Sequence, residues 1–457
     1  MRENLKFYTK LFPVAIVLIS TLLTASCSED RTDMTGLLST VPSSSSAVMA
    51  IDLKSILQDM GCKVNGNEIK PGKEFSENLK TMGENDKTKI LEFFNGESGI
   101  SPESSVIFFD SNRMFFTMAL ADAGKFCSYV ANSNGQPFID EGNGVKVNGN
   151  IAVKGSQTWI CLSSGKRIDA DAIVGYSSLK SSQSFISSEM AEKFVEPNSD
   201  IVGWGHLKVI LDSFMSRSNV SIMNLAAGFL FDDASDIFFS VDFKSGEMKA
   251  TAMLLNEKGK PAKYLLQAEK IDTKAIETLG ENCDALLALT LTPKMVKKLE
   301  KAGSALGGNL FGDLGELLNN IDGTIAVASS SFETQVTPNF TGLITTKGEV
   351  SLQLKDLISP FVGSLREDGK YLRFSQGTLS GPLPVKECVN QLKGSCFGLV
   401  ADLNGLDFNG LGGQNANFFN SLAFTLSPES GSLELKLVLK AIDKKENILV
   451  TILRAIR

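Results

Sequence analysis

The chain has 457 residues, a formal net charge of −7, and 43% hydrophobic against 21% charged residues. This length allows two domains of ordinary size, and this composition is typical of a soluble globular protein. The negative balance and the lack of a basic run argue against a nucleic-acid partner, because phosphate binding needs clustered Lys and Arg.

The first 26 residues have the layout of a secretory signal. Three basic residues precede an apolar run of 13 residues, 11–23, which is shorter than the roughly 20 residues that a membrane-spanning helix needs. Small residues then lead directly to Cys27. This layout resembles a bacterial lipobox whose Leu23 lies one place further upstream than usual. It predicts that the signal peptide 1–26 is removed and that Cys27 is the lipidation site. An ordinary signal peptide with a chance cysteine is the alternative.

Residues 27–40 form a predicted lipidated tether. Cys27 is followed by Ser28, Glu29, Asp30 and Asp33, and side chains of this kind bury too little apolar area to fold. Acids directly after a lipid cysteine also resemble the signal that exports Bacteroidetes lipoproteins to the outer face of the outer membrane. We therefore expect attachment to the outer membrane through acyl chains such as palmitate, with the cell surface favoured over the inner face.

Four segments of the chain repeat one pattern: an apolar residue that ends a helix, a small polar turn, an apolar strand and the start of a second helix. The apolar residue and the first strand residue lie six positions apart in three copies and five in the fourth. Such constant spacing indicates an internal repeat. The paired positions are Val41 and Ala47, Val195 and Ile201, Leu279 and Ala285, and Leu392 and Phe397.

The residues after each repeated strand predict a helix with one buried face, except in the fourth copy. In the third copy, Thr292 and Pro293 predict an N-cap and the first helical position. The fourth copy, "LNGLDFNGLGGQNANFF", carries too many glycines for a stable helix, so we expect a loop there. In the first two copies apolar residues recur at i, i+3, i+4 and i+7, namely Leu53, Ile56, Leu57 and Met60, and Leu207, Ile210, Leu211 and Phe214.

Each copy continues into alternating apolar runs that are typical of antiparallel strands. The first and third copies are longer than the second and fourth, so we predict one domain of two related halves, duplicated in tandem at 41–270 and 271–457. The predicted fold class is α+β, with antiparallel sheets, helices on one face and internal duplication. The predicted turns are "DSNR" (110–113), "KSGE" (244–247) and "PESG" (428–431).

The whole pattern resembles an uncharacterised family of Bacteroidetes lipoproteins, a domain of unknown function. The resemblance rests on the signal, the opening "VPSSSSAVMAIDL" and the order of strands and helices, and it covers most of the chain. It implies location and fold, and it brings no catalytic residues with it.

His206 is the only histidine of the chain. A single histidine excludes a zinc site built on two histidines, and it limits imidazole catalysis to one position. In the repeat alignment it takes the place of Asp52, Thr290 and Asp402, where a strand passes into a helix. A polar residue at that junction is typical of helix capping, which we favour over catalysis.

Other short motifs offer chemistry only weakly. Serine and lysine have the spacing of some acyl enzymes in "SSGK" (163–166) and "SSLK" (177–180), but a serine-rich chain contains such matches by chance. "GGNLFGD" (307–313) lacks the lysine of a phosphate loop. The acids of "DADA" (169–172) and "DDASD" (232–236) lack the glycine and glutamate of a calcium loop, so we interpret them as turn residues rather than metal ligands. The sequence thus predicts no catalytic residue, metal or cofactor.

Six cysteines remain besides Cys27, and their even number permits disulfides in an oxidising compartment. Cys161 and Cys283 border apolar runs, where a free cysteine acts as a small hydrophobe. Cys388 and Cys396 lie closest together in the sequence and are the candidate bonded pair, with free thiols as the alternative.

Two functional hypotheses follow. The first is a non-enzymatic surface lipoprotein that binds an unknown envelope protein or glycan or has a structural role. The second is a hydrolase of envelope or dietary polymers that works with carboxylates, because two acids brought together by a fold can perform acid and base catalysis without a local motif. The lack of a nucleophile motif and of metal-ligand spacing favours the first.

Overall fold

The computed structural model describes most of the chain and divides it into two compact units. The first unit comprises 1–213, 236–248 and 443–457, and the second comprises 214–235 and 249–442. The two domains predicted at 41–270 and 271–457 stay a prediction. The described residues are 34–80, 91–92, 95–163, 167–195, 199–214, 230–298, 318, 320–330, 339–404 and 418–455.

Antiparallel strands form the centre of the first unit, in the order β11-β10-β1-β4-β5-β9-β8-β7-β6, with β2 and β3 as a separate hairpin. The strands are β1 (Ala47–Asp52), β2 (Lys63–Asn65), β3 (Glu68–Lys70), β4 (Ile100–Asp110), β5 (Arg113–Leu120), β6 (Ile139–Asp140), β7 (Val145–Asn148), β8 (Ile151–Lys154), β9 (Gln157–Cys161), β10 (Ile201–His206) and β11 (Asp236–Lys244).

Helices pack on this sheet, α2 against β4, α5 against β7 and β8, and α11 against β11. Short 3₁₀ segments lie at Ser181–Gln183 and Phe185–Ser187. The helices are α1 (Thr35–Leu38), α2 (Leu53–Asp59), α3 (Lys73–Lys80), α4 (Ala123–Asn134), α5 (Ala170–Ser177), α6 (Glu192–Val195), α7 (Leu207–Phe214) and, from the end of the chain, α11 (Ile448–Ala455).

The second unit has a sheet of the same kind, in the order β22-β21-β20-β14-β15-β16-β18-β17, and β13 pairs with β19. Its helices are α8 (Thr273–Ile276), α9 (Leu352–Ile358) and α10 (Val385–Leu392), and α10 packs on β14, β20 and β21. The strands are β12 (Glu247–Leu255), which begins in the first unit, β13 (Asn282–Cys283), β14 (Ala285–Leu291), β15 (Ile321–Ser330), β16 (Asn339–Thr346), β17 (Ser364–Asp368), β18 (Tyr371–Gln376), β19 (Leu383–Pro384), β20 (Phe397–Asp402), β21 (Phe419–Glu429) and β22 (Ser432–Ala441).

The predicted α+β class with antiparallel sheets is confirmed by these ladders. Local chemistry explains the hairpins. Ser111 and Asn112 have φ of 49° and 61°, and Ser430 and Gly431 have φ of 47° and 86°. Two consecutive positive φ angles are those of the two-residue turn that matches strand twist. The turns predicted at "DSNR" and "PESG" therefore join β4 to β5 and β21 to β22, and Ser245 and Gly246 separate β11 from β12.

The predicted helix after the first repeated strand is also confirmed, because Leu53, Ile56, Leu57 and Met60 are all buried on or next to α2. In the third copy, the Thr292 hydroxyl accepts the backbone N–H of Met295 at 3.3 Å, which is the predicted N-cap. The predicted loop of the fourth copy lies largely outside the described residues. Internal duplication stays a prediction.

Candidate functional site

A cavity of about 240 Å³ lies in the first unit, where the end of β1 meets the beginning of β10. Its wall includes Met34 and the start of α1, which lie inside the predicted tether 27–40. The volume lies just below that of common small-molecule pockets, roughly 300 Å³ and above. The lining residues are Met34, Thr35, Ala50, Asp52, Ser104, Phe194, Val195, Ser199, Asp200 and Val202.

Two buried aspartates of this wall face each other across the ladder of β1 and β10. Asp52 is the last residue of β1, and Asp200 directly precedes β10. The backbone N–H of Asp52 donates to the backbone carbonyl of Asp200 at 2.9 Å. The two residues retain 9% and 3% of their exposure. The sequence predicted a polar residue at Asp52 but missed Asp200, whose one signal was its place directly before a repeated strand.

Both carboxylates accept hydrogen bonds from the protein itself. Asp52 accepts the backbone N–H of Ser55 at 2.9 Å and so caps α2. Asp200 accepts the backbone N–H of Phe243 at 2.9 Å, and the Ser55 hydroxyl approaches its other oxygen at 3.5 Å. Ser55 therefore contacts both carboxylates. These donors stabilise the carboxylates as hydrogen-bond acceptors, as a buried polar group requires.

An aromatic cluster supports the apolar side of the cavity. Phe194 lines the cavity and packs edge to face on Phe185, with ring centroids 5.2 Å apart, and on Phe238 at 6.3 Å. Phe185 also contacts Trp204, which lies two residues beyond the cavity residue Val202 on β10. Offset and edge-to-face ring pairs hold their geometry well. The cavity therefore has one rigid apolar wall and one wall with two carboxylates.

His206 forms a second group of polar side chains in the same unit. Its Nδ1 lies 2.7 Å from Oδ1 of Asp236, the first residue of β11. The imidazole is 51% exposed, whereas the carboxylate is 7% exposed. A carboxylate that orients a histidine is part of several hydrolytic sites. Among the described residues, no serine, threonine or cysteine side chain is hydrogen-bonded to this ring, and capping by His206 stays a prediction.

The four junction positions of the repeat make one and the same backbone contact. In each case an N–H from the last or the penultimate residue of a repeated strand donates to the carbonyl of the residue just before the partner strand. Copy one thus pairs with copy two, and copy three with copy four. The bonds run from Asp52 to Asp200 (2.9 Å), His206 to Ser46 (2.8 Å), Thr290 to Cys396 (2.8 Å) and Asp402 to Asp284 (2.7 Å).

The acid-rich motifs have local roles in the structure. Asp169 caps α5 through the backbone N–H of Asp171. Asp233 accepts the backbone N–H of Lys263 and the amide of Asn256, and these bonds lower its pKa although it is exposed. Within the described ranges, no three His, Cys, Asp or Glu side chains come together as metal ligands.

The weak serine motifs also have local hydrogen bonds. The Ser163 hydroxyl accepts the backbone N–H of Met114 at 3.0 Å, and the Ser177 hydroxyl donates to the carbonyl of Val174 at 3.0 Å. Lys166 and the "GGNLFGD" segment lie outside the described residues. The structure thus gives neither serine a described contact with a lysine.

The six described cysteines are free thiols, so the candidate bond between Cys388 and Cys396 is not formed. The physical reason is that the two side chains pack in different core clusters. Cys388 lies against Cys283, whereas Cys396 donates to the carbonyl of Leu426 at 3.4 Å. Closeness in sequence therefore indicated the wrong neighbour for Cys388.

Cys27, the signal peptide and the first half of the tether, 27–33, lie outside the described residues. The second half differs from the predicted unfolded tether, because it contains α1, in which Leu37 and Leu38 are buried. Within the described part of the chain, no helix combines the length and the apolar character needed to cross a bilayer.

Comparison with known proteins identifies no family. No protein-family model and no curated protein matches the chain. The solved structures that match include crystal forms III, I and IV of TP0453. Their sequence identities are 8%, 10% and 8%, and their TM-scores are 0.25, 0.27 and 0.29. The matches cover 77–79% of this chain and 94–97% of theirs. At such TM-scores the likeness carries no argument about function.

Proposed function

We propose that the protein is a surface-exposed lipoprotein of the outer membrane, attached through Cys27, whose folded part binds another envelope molecule instead of catalysing a reaction. The basic residues, the short apolar run and the small residues before Cys27 support the anchor. Seven peptide units join Cys27 to Met34 of the cavity wall. An extended chain of that length spans at most about 25 Å, so the anchor keeps the cavity close to the bilayer.

One observation supports binding over catalysis, which is that the protein's own hydrogen-bond donors contact both buried carboxylates. Asp52 and Asp200 each accept a backbone N–H, and Ser55 contacts both. Their described hydrogen bonds hold the end of β1, the start of α2 and the strand β11 together. The rest of the wall is apolar or carries hydroxyl groups, which suits a small uncharged or cationic part of a ligand.

The alternative, a hydrolase, is favoured by one observation, which is that Asp52 and Asp200 line the same cavity. Two carboxylates beside one cavity can serve as acid and base. The two hypotheses differ in what happens to a captured molecule, because a hydrolase releases cleaved products and a binding protein returns the molecule unchanged.

The lipid anchor is tested by metabolic labelling with palmitate. We expect the wild-type chain to incorporate the label and to partition with membranes, whereas Cys27→Ala does neither. Cys127→Ala is the matched control, since it removes another cysteine and should keep both properties. Incorporation of label by Cys27→Ala would refute the anchor.

Binding in the cavity is tested by filling it. Ala50 lines the cavity and is buried, so Ala50→Leu adds three carbon atoms to the space a ligand would use. Ala121→Leu makes the same change at an exposed position of the same unit. Envelope extract is passed over each immobilised protein, and the retained molecules are identified by mass spectrometry. We expect wild type and Ala121→Leu to retain a molecule that Ala50→Leu does not, with all three folded by circular dichroism. Equal retention by all three would contradict binding in this cavity.

We also propose that the chain arose by internal duplication. The four backbone bonds at the equivalent positions Asp52, His206, Thr290 and Asp402 support this, as does the register of the central ladders. Ala47 pairs with Gly205, and Ala285 pairs with Ala401, at corresponding repeat positions. An experimental structure in which β10-β1-β4-β5 cannot be superposed on β20-β14-β15-β16 would refute the duplication.

A further inference from the structure

Two cysteines that are distant in the sequence meet in the core of the second unit. Cys283 is the last residue of β13, which pairs with β19 so that Cys283 lies opposite Leu383. The helix α10 begins two residues after Leu383, and Cys388 lies in its first half. The backbone N–H of Val385 also donates to the carbonyl of Glu281 at 2.9 Å. The ladder therefore fixes the start of α10, and with it Cys388, beside Cys283.

A glycine keeps the two segments close. Gly381 has a φ of +152°, and a Cβ added there would lie 2.3 Å from the carbonyl carbon of Cys283. Such a distance is far below van der Waals contact, so only glycine allows the backbones to approach in this way. The position of the segment that leads into α10 is thus fixed by packing against Cys283 itself.

Both side chains point into one apolar cluster. Cys283 and Cys388 keep 0% and 1% of their exposure and belong to the same core cluster with Leu279, Val385 and Val389. The two thiols are in hydrogen-bond contact with each other. That contact, together with burial, raises the pKa of Cys283. The same contact lowers the pKa of Cys388, as expected when the Cys283 thiol donates to the Cys388 sulfur.

We propose that Cys283 and Cys388 form an intrachain disulfide when the exported chain folds. This inference rests on the proposed export, because disulfides persist in oxidising compartments. The two thiols lose two protons and two electrons as the sulfur–sulfur bond forms. A small-molecule or protein disulfide, such as oxidised glutathione, takes up the two protons and the two electrons and is thereby reduced to two thiols. The bond has to form before the core closes, since the packed thiols are buried from an oxidant.

The expected consequence is a large constraint on the unfolded chain. The bond would join residues 105 positions apart, and long closed loops gain the most from a cross-link. We expect the oxidised protein to unfold at a temperature roughly 5–10 °C above the reduced protein.

The test begins with the lipidated chain extracted from membranes in mild detergent. It is denatured in the presence of iodoacetamide, which alkylates the free thiols. It is then reduced, labelled with N-ethylmaleimide and mapped by mass spectrometry. We expect Cys283 and Cys388 to carry the second label, and Cys62, Cys127, Cys161 and Cys396 to carry the first. Without reduction, the peptides of Cys283 and Cys388 should be linked. Labelling of both with iodoacetamide would overturn disulfide formation in the cell.

A refolding experiment separates this inference from the proposed export. The same chain is reduced, denatured and diluted into glutathione redox buffer, where the result depends on the chain alone. We expect the linkage in wild type and in Cys396→Ser, and its loss in Cys283→Ser and Cys388→Ser. Failure of wild type to form this linkage, or a bond from Cys388 to Cys396, would overturn the pairing itself. The palmitate experiment tests the anchor independently of both results.

Discussion

The two units place an aspartate pair at the same point of their central ladders, but they bury it to different degrees. In the first unit, Asp52 at the end of β1 faces Asp200, and both side chains are buried. In the second, Asp402 at the end of β20 faces Asp284, and both are half-buried. The backbone bond within each pair is the same, at 2.9 and 2.7 Å.

The difference lies in the residues that follow the strand. After Asp52 the chain turns at once into α2, which brings the N–H and hydroxyl of Ser55 to the two carboxylates. After Asp402 the Asn404 amide donates to the carboxylate at 2.7 Å. Burial raises the pKa of Asp402, and the charge of Asp284 adds to the effect. One ladder position thus gives either a buried pair held by backbone donors or a half-exposed pair with a destabilised negative charge.

The largest difference between the units should appear with Asp200→Ala. The change leaves the buried N–H of Phe243 without its acceptor, and such a loss costs about 2–3 kcal/mol. The corresponding Asp284→Ala should cost less than about 1 kcal/mol, because the side chain is half-buried and closer to water. Thermal unfolding, with hydrogen exchange at the Phe243 amide, measures both changes. Equal losses in the two units would contradict the comparison.

Asp52→Ala should have an intermediate effect. It removes the N-cap of α2, which costs about 1 kcal/mol. Asp52→Ser is the control, because a serine hydroxyl can cap the same N–H and should recover most of the loss. Hydrogen exchange at the Ser55 amide reports the cap directly. If the alanine variant protects that amide as well as wild type does, the carboxylate is not what holds the start of α2.

Asp402→Asn should leave stability at pH 7 unchanged or slightly raised, in contrast to the losses in the first unit. The pKa of Asp402 is raised in the folded protein above its ordinary value of 3.8. The folded state therefore binds the proton more tightly than the unfolded state. This tighter proton binding stabilises the folded state fully below pH 3.8. The stabilisation is lost as the pH rises through the pKa that Asp402 has in the folded protein.

Unfolding temperatures of wild type and Asp402→Asn between pH 3 and 7 check this sign. The unfolding temperature of the variant should rise relative to that of wild type as the pH rises through this window. Above the window the difference between the two temperatures should stay constant. A variant that loses stability relative to wild type over that window would show that the Asp402 carboxylate is stabilised by its surroundings.

The smallest loss of stability is expected at the His206 junction. His206→Gln removes the imidazole that contacts Asp236, but half of that imidazole is exposed, and polar contacts open to solvent contribute about 0–1 kcal/mol. We expect a change below about 0.5 kcal/mol in the free energy of unfolding. A loss as large as that of Asp52→Ala would show that the His206 side chain stabilises the fold as much as the Asp52 cap does.

Much of the fold followed from local patterns, because turn chemistry and apolar periodicity act within a few residues. "DSNR" and "PESG" predicted their hairpins, and the spacing from Leu53 to Met60 predicted α2. The aspartate pair depended on which strands become neighbours. Asp52 meets Asp200 only because β1 pairs with β10, so the repeat positions could be found while the cavity could not.

The cysteines show the same limit. Cys388 and Cys396 are neighbours in sequence, yet the helix α10 and the strand β20 place them in different core clusters. The true neighbour, Cys283, lies 105 positions away and arrives through the pairing of β13 with β19. No local pattern around Cys283 indicates that contact.

The central claim is that the cavity at Asp52 and Asp200 captures a molecule and does not transform it. The most direct measurement is the mass of a molecule retained from envelope extract by wild type, compared with its mass before contact and after prolonged incubation. We predict that the molecule is recovered with unchanged mass and that Ala50→Leu does not retain it. Recovery of a hydrolysed product from wild type, but not from folded Asp200→Asn, would contradict the claim and establish the hydrolase.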